Sequence, residues 1–92
     1  MIKSFKHKEL KLYFGTGSTK GIQSKHAAKL RMHLAALETA IEIDDLDMPG
    51  YQLHPLKGDR KGIWAIALNG NWRLTFECSD GNVYILNYED YH

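Results

Sequence analysis

The sequence predicts an α+β fold in which N-terminal helices pack on a small antiparallel sheet. Apolar residues recur at helical spacing between about residues 24 and 42, and three strand-like runs fill the second half of the chain. The connectors Asn69-Gly70-Asn71 and Ser79-Asp80-Gly81 have hairpin composition, so consecutive strands are expected to pair antiparallel. A chain of 92 residues has room for one domain, expected over 1–92.

The N-terminal third is expected to contain a short strand, a helix and a loop. Residues 1–5 alternate apolar and polar side chains, which is typical of a strand. Residues 6–14 predict a basic helix, and its apolar stripe is Leu10, Tyr13 and Phe14. Residues 15–21 are loop-like in composition. Their Gly-x-Gly pair lacks the rest of the P-loop pattern, so a plain connector is favoured over a phosphate site.

The strongest helical signal begins at Ser24, a residue type that caps helix N-termini. Apolar residues then repeat at the spacing of one helix face: Ala27, Leu30, Leu34, Leu37 and Ile41. This pattern predicts a helix from about residue 24 to about residue 42. The acidic stretch at 44–50 ends in Pro-Gly and is expected to be a loop or a short helical turn.

Residues 63–68, 72–78 and 82–88 are the predicted strands. The bulky residues of the first two strands share one face if Leu68 pairs with Trp72 around a three-residue loop, with Gly70 in a left-handed conformation. The same register collects small and polar side chains on the opposite face: Ala65, Ala67, Arg73 and Thr75. Such a face is a shallow platform that a flat or extended ligand could approach.

The composition is ordinary for a globular protein, with 43% hydrophobic and 25% charged residues. The chain has no apolar run of about 20 residues and no signal-peptide pattern at its start, and Cys78 is its one cysteine. A cytoplasmic protein without a disulfide framework or a cysteine-based zinc site is therefore expected. Residues 1–33 carry eight Lys or Arg against one acid. This excess predicts a positive face or, alternatively, only solvated helix surfaces.

Groups suited to phosphodiester chemistry occur in two clusters, one at 54–60 and one at 82–92. RNA cleavage requires a base for a 2′-hydroxyl, positive charge for the phosphorane and an acid for the leaving 5′-oxygen. The chain offers six residues of suitable type: His54, Lys57, Arg73, Asp90, Tyr91 and His92. We therefore expect folding to bring the two clusters into one RNA site.

Each of these residues also has a plainer interpretation. His54 and the basic turn after it are compatible with a solvated surface loop, and the last two residues with a frayed tail. Arg73 could form a structural salt bridge with Glu77, Glu89 or Asp90. A metal site from His54, Asp90 and His92 is conceivable by ligand type, but no spacing specifies it and no cofactor is expected.

Three ordered motifs carry a resemblance to a known family. They are Leu53-His54-Pro55-Leu56-Lys57-Gly58-Asp59-Arg60, then Asn71-Trp72-Arg73-Leu74-Thr75-Phe76, then Tyr84-Ile85-Leu86-Asn87-Tyr88-Glu89-Asp90-Tyr91-His92. The chain resembles HigB-type toxins of the RelE superfamily, closely over residues 51–92 and more loosely over the helical region. The resemblance implies a RelE-like microbial RNase fold and an endoribonuclease that cleaves mRNA on the ribosome by attack of a 2′-hydroxyl.

The resemblance also implies roles and partners. Arg73 and Lys57 would stabilise phosphate and transition-state charge, Tyr91 would position the base or sugar, and proton transfer would fall to His54, Asp90 and His92. RNA contacts are expected from Lys57, Arg60, Lys61, Asn71 and Arg73. The expected partners are mRNA on the ribosome and a HigA-like helix-turn-helix antitoxin that links the toxin to operator DNA, with no membrane.

Two alternatives of function stay open at the level of sequence. The chain could bind RNA, the ribosome or an antitoxin without cutting, or it could be an RNase that needs no ribosome. The net charge of only +1 is low for a ribosome-binding toxin, because phosphate contacts supply most nonspecific RNA affinity. The acids at 38–47 and 77–90 are expected to weaken RNA binding unless they lie away from the RNA face.

Overall fold

The computed structural model describes residues 1–90, which form two α-helices and a four-stranded antiparallel sheet. The helices are α1 (Lys8–Thr16) and α2 (Ala27–Thr39). The strands are β1 (His54–Pro55), β2 (Trp64–Asn69), β3 (Trp72–Ser79) and β4 (Asn82–Asp90), and they lie in the order β1-β2-β3-β4. The predicted α+β class is confirmed, whereas β1 was not expected as a strand.

Helix α1 begins and ends at local capping groups. The His7 imidazole Nδ1 accepts a hydrogen bond from the backbone N–H of Leu10, and Gly17 ends the helix in a left-handed conformation with φ of 79°. The helix therefore continues two residues beyond the predicted end at residue 14, and the predicted loop begins later. The predicted apolar stripe is buried at Leu10 and Tyr13, but Phe14 is 41% exposed.

Helix α2 is shorter than predicted at both ends. Ser24–His26 forms a 3₁₀ turn without a side-chain cap, so the predicted capping role of Ser24 is wrong. At the other end, the Asp45 carboxylate accepts hydrogen bonds from the backbone N–H groups of Ile41 and Glu42. These bonds hold the segment after Thr39 outside the helix and leave Ile41 80% exposed. The expected short turn follows as a 3₁₀ helix, Ile43–Leu46.

The predicted pairing of β2 with β3 is confirmed except at the turn. Trp64 pairs with Phe76, and Ile66 pairs with Leu74, so the bulky residues share one face. Beyond Ala67 the register shifts, and Trp72 pairs with Asn69 instead of Leu68. The predicted Leu68–Trp72 pair is therefore wrong, because a bulge near Leu68 shortens the turn to two residues. Gly70 has the expected positive φ, 58°.

A second bulge in β4 sets the register at the end of the sheet. Cys78 pairs with Val83, whereas Leu74 pairs with Tyr88, so β4 contains one residue more than β3 between these pairs. Ile85 adopts a left-handed φ of 48° within this bulge. Its backbone N–H donates to the Ser4 hydroxyl at 2.8 Å. The predicted first strand is replaced by two isolated parallel bridges from this N-terminal segment to β4.

Both helices pack on one face of the sheet. The core joins Leu10 of α1 and Leu30, Leu34 and Leu37 of α2 to Ile66, Leu74, Phe76, Leu86 and Tyr88 of the sheet. Because successive strand residues point to opposite faces, the residues between these core positions face away from the helices. Within residues 1–90, no helix has the length and apolar character needed to span a membrane.

Candidate active site

The sheet face that turns away from the helices carries the candidate site. Two cross-strand rows define it: His54, Ala65, Thr75 and Asn87 form one row, and Ala67, Arg73 and Glu89 form the other. We call these seven residues the polar sheet face. Cross-strand partners share a face, so the β-strand pairing alone brings His54 and Arg73 to the same side. Ala65 and Thr75 are buried and Ala67 and Arg73 are half-buried, so this part of the face is covered and is not the open platform that the sequence predicts.

Two arginines meet one carboxylate on the polar sheet face. The Glu89 Oε1 lies 2.9 Å from Nη1 of Arg60 and 3.3 Å from Nε of Arg73. Arg60 also donates from Nη2 to the Thr75 hydroxyl at 3.4 Å. Glu89, one of the expected partners of Arg73, therefore forms a salt bridge with it. We call Arg60, Arg73 and Glu89 the arginine cluster.

His54 is exposed, and its ring is oriented by backbone. The imidazole Nδ1 lies 2.8 Å from the carbonyl oxygen of Gln52. A carbonyl can only accept, so Nδ1 carries a proton, and in the neutral ring Nε2 is the atom that accepts one. His54 and Thr75 lie two strands apart, about 10 Å between Cα atoms, and Arg73 lies about 7 Å further along β3. A nucleotide that lies between His54 and Arg73 would therefore be within reach of both side chains.

The loop between β1 and β2 supplies three cations. A 3₁₀ turn, Gly58–Arg60, folds the loop back so that Arg60 reaches over Thr75. Lys57 and Lys61 flank this turn, and both are exposed. The basic turn thus borders the polar sheet face, where its positive charge adds to that of the arginine cluster.

Asp90 lies on the other side of the sheet from Arg73. It pairs with Trp72, whose ring packs on the helix side, and the two residues line a cleft with Lys25, Asn69, Gly70 and Asn71. This cleft has a volume of about 260 Å³. Asp90 and Asn71 therefore form a group at the rim of the sheet, next to the polar sheet face but separate from it. Tyr91 and His92, the remaining predicted site residues, lie outside the described residues.

A cluster of three aromatic rings, His26, Trp72 and Tyr88, supports the strand ends that carry the site. The His26 ring lies edge-on to Trp72 and Tyr88, with centroid distances of 5.4 Å and 5.8 Å. Burial lowers the pKa of His26, and the nearby Lys25 and Lys29 lower it further. Burial also raises the pKa of the Tyr88 phenol. Both His26 and Tyr88 are therefore neutral at physiological pH, and their contacts connect β3 and β4 to the start of α2.

Three supporting residues are not evident from the sequence alone. Gln52 orients His54, Glu89 joins the two arginines, and Lys25 lines the same cleft as Asp90. Glu89 was considered only as one of three partners for Arg73, because its position opposite Arg73 depends on the bulge at Ile85. Within residues 1–90, no three His, Cys, Asp or Glu side chains are grouped so that they could hold a metal ion.

Comparison with known proteins identifies a family and a full-length relative. Residues 3–92 match the family described as RelE-like toxin of type II toxin-antitoxin system HigB. The chain is 53% identical over 92 residues to a curated protein from Proteus vulgaris named Endoribonuclease HigB. That match covers 100% of both chains.

Solved structures share the fold at lower sequence identity. The YoeB–YefM complex from Staphylococcus aureus matches with a TM-score of 0.65 and 16% identity, over 100% of this chain and 95% of that chain. A YafQ mutant from E. coli matches with a TM-score of 0.63 and 22% identity, over 92% and 86%. These likenesses confirm the predicted arrangement of helices on an antiparallel sheet.

Proposed function

The chain belongs to the HigB family of RelE-like toxins of type II toxin–antitoxin systems, and we propose that it cuts mRNA on the ribosome by attack of a 2′-hydroxyl. The toxin class and the endoribonuclease activity rest on the family match and on the relative of 53% identity. The predicted RelE-like fold agrees with both. The dependence on the ribosome, the chemical route and the roles of single residues are our proposal.

One observation supports the site most directly: the β-strand pairing places His54 and the arginine cluster on one face. In the proposed reaction His54 Nε2 removes the proton of a 2′-hydroxyl, and the freed oxygen attacks the adjacent phosphorus. Arg73, with Lys57 from the bordering loop, stabilises the added charge on the phosphorane oxygens. The bond to the 5′-oxygen then breaks, which leaves a 2′,3′-cyclic phosphate and a 5′-hydroxyl.

The leaving 5′-oxygen needs a proton, for which we propose Asp90 or His92 at the end of the chain. Asp90 lies at the rim of the sheet beside Lys25, and His92 follows two residues later. Tyr91 is proposed to stack on a base or sugar, a common contact with unpaired RNA. Arg60, Lys61 and Asn71 are proposed to contact the RNA near these groups.

We propose that the ribosome orients the message for this site. His54 is exposed and its ring contacts the backbone carbonyl of Gln52, so an external scaffold that fixes the 2′-hydroxyl would raise the rate strongly. The whole chain, 1–92, would act as one domain in the cytoplasm, where translating ribosomes are found. As a type II toxin it has an antitoxin partner. A HigA-like helix-turn-helix protein, which also binds operator DNA, is proposed.

The decisive experiment is cleavage of a defined message with and without ribosomes, read by mapping new 5′ ends. Wild type is compared with His54→Ala, Arg73→Ala and a chain lacking its final two residues. The exposed Lys20→Ala serves as the control, because Lys20 lies in the connector between α1 and α2. We expect the three site variants to lose cleavage and the control to retain it. Stalled but uncut transcripts with wild type would support a binding module, and equal cleavage of naked RNA would support a ribosome-independent nuclease.

A further inference from the structure

Glu89 occupies an unusual position for an acid on a face expected to bind RNA. A single carboxylate oxygen contacts both guanidinium groups, at 2.9 Å for Arg60 and 3.3 Å for Arg73. The three side chains are partly buried, with exposed fractions of 39% for Arg60, 14% for Arg73 and 23% for Glu89. The carboxylate therefore lies among the groups that the proposed reaction needs for phosphate.

The arginine cluster is built around a shared negative group. The Arg60 and Arg73 guanidinium groups contact the Glu89 carboxylate in a partly desolvated setting, where charges interact more strongly than in open water. Ala67, the residue opposite Arg73 on β2, is half-buried, whereas Ala65 is fully buried. A phosphodiester offers oxygen acceptors in the geometry that guanidinium groups bind best, so it can compete with the carboxylate for them.

We propose that Glu89 is a positioning residue that stands in for an RNA phosphate. Before RNA binds, its carboxylate holds the Arg60 and Arg73 guanidinium groups in the orientation that a phosphate requires. When RNA binds, a phosphate oxygen replaces the carboxylate at one of the two arginines. This inference rests on the proposed function, because it takes the phosphodiester at the polar sheet face as the RNA segment to be cut.

Two opposite effects follow for a variant that loses this carboxylate. RNA binds more tightly, because a competing negative charge has been removed from the phosphate position. The bound complex reacts more slowly, because Arg73 loses a carboxylate that helps to orient it. A salt bridge with only a structural role would lower stability, but it would not make binding tighter while making catalysis slower.

The test compares Glu89→Gln with Glu77→Gln in the full-length protein. Glu77 is exposed on β3, the strand that also carries Arg73, and its replacement removes the same charge outside the arginine cluster. Affinity is measured on ribosomes carrying a message with a single 2′-deoxy nucleotide at the cleaved position, which binds but cannot react. The rate is measured separately as single-turnover cleavage of the normal message at saturating toxin.

We expect Glu89→Gln to bind the 2′-deoxy message about fivefold more tightly, the effect of one unit charge a few ångströms away under water-like screening. Its saturated cleavage rate should fall roughly tenfold to a hundredfold. Glu77→Gln should change affinity by less than about twofold, since salt screens distant surface charges. Equal affinity changes in the two variants, or no tightening with Glu89→Gln, would overturn the proposal.

Glu89→Asp provides a second readout if Glu89→Gln folds poorly. It keeps the competing charge but withdraws it by one methylene, so affinity should stay near wild type while the saturated rate falls. An unchanged rate in this variant would also contradict the positioning role. Absence of cleavage by wild type would refute the proposed function instead, because the binding comparison on the 2′-deoxy message does not depend on cleavage.

Discussion

The imidazole Nδ1 of His26 lies 2.6 Å from the hydroxyl oxygen of Tyr88, and both groups are buried. This hydrogen bond joins the residue before α2 to β4 one position ahead of Glu89. The Trp72 ring packs on the Tyr88 ring with a centroid distance of 4.6 Å. Trp72 directly precedes Arg73 in β3. These contacts thus connect the helix layer to the ends of β3 and β4 that carry Arg73 and Glu89.

Tyr88→Phe is expected to lower the free energy of unfolding by about 1–3 kcal/mol. The change removes the hydroxyl and leaves a ring nitrogen of His26 buried without this partner. Urea denaturation at pH 7.5 measures the effect. Tyr84→Phe is the matched control on the same strand, where the residue is only half-buried, and it should stay within about 0.5 kcal/mol of wild type. Equal losses in the two variants would refute a specific role for the His26–Tyr88 bond.

Unfolding is expected to become easier as the pH falls from 7 to 5. Burial lowers the pKa of His26 and of His33 below the ordinary value of 6.5, although a hydrogen bond from His33 to the Ala67 carbonyl partly opposes this for His33. The unfolded chain therefore binds more protons than the folded one in this range. The stabilisation is fully present above pH 6.5 and is lost as pH falls below it, by at most about 1.4 kcal/mol per pH unit for each histidine.

Urea denaturation at several pH values, with a histidine variant for comparison, tests this dependence. His33→Gln keeps an amide N–H that can donate to the Ala67 carbonyl but has no proton to gain in this range. Its unfolding free energy should fall less steeply between pH 7 and pH 5 than that of wild type. An identical slope would mean that His33 does not contribute to the pH dependence.

Arg73→Lys is expected to reduce cleavage roughly a hundredfold while leaving the fold intact. Lysine keeps the charge, but it lacks the planar fork that contacts Glu89 and that is proposed to bind the phosphate. The measurement is single-turnover cleavage of message on ribosomes, with thermal unfolding as the check on folding. Arg31→Lys on the exposed side of α2 makes the same chemical change elsewhere and should cleave like wild type. Near-normal cleavage by Arg73→Lys would show that Arg73 does not stabilise the transition state.

Gly81→Ala is expected to destabilise the protein more than Gly17→Ala. The two glycines have nearly the same left-handed φ, 78° and 79°, so the backbone strain of about 1–2 kcal/mol is shared. A Cβ at residue 81 would also lie 2.7 Å from the carbonyl oxygen of Ile41, whereas nothing lies within 4 Å at residue 17. Chemical denaturation of both variants isolates this contact. Equal losses of stability in the two variants would show that the Ile41 carbonyl moves away from a Cβ at residue 81 without an energetic cost.

Local pattern was sufficient to predict much of the sheet and part of the site. The alternation around Ile66 and Leu74 predicted which residues face the helices, and it placed Arg73 and Thr75 together on the other side. The residue types of the two clusters predicted RNA cleavage chemistry, and the three motifs indicated the family that the comparisons confirm. The end of α2 was predicted wrongly, because the side chain of Asp45 holds the N–H groups of Ile41 and Glu42.

Alternation and turn composition are properties of neighbouring residues, so the sequence alone specified β2, β3 and β4, the two faces of β2 and β3, and the positions of the hairpins between them. The partner of each site residue depended on contacts between distant segments. Ser4 binds the backbone at Ile85, where the bulge inserts one residue into β4 and brings Glu89 opposite Arg73. Without that extra residue, the register near the turn would continue and Tyr88 would face Arg73. A one-residue shift reverses every side chain beyond it, so only the folded chain decides which groups meet the arginines.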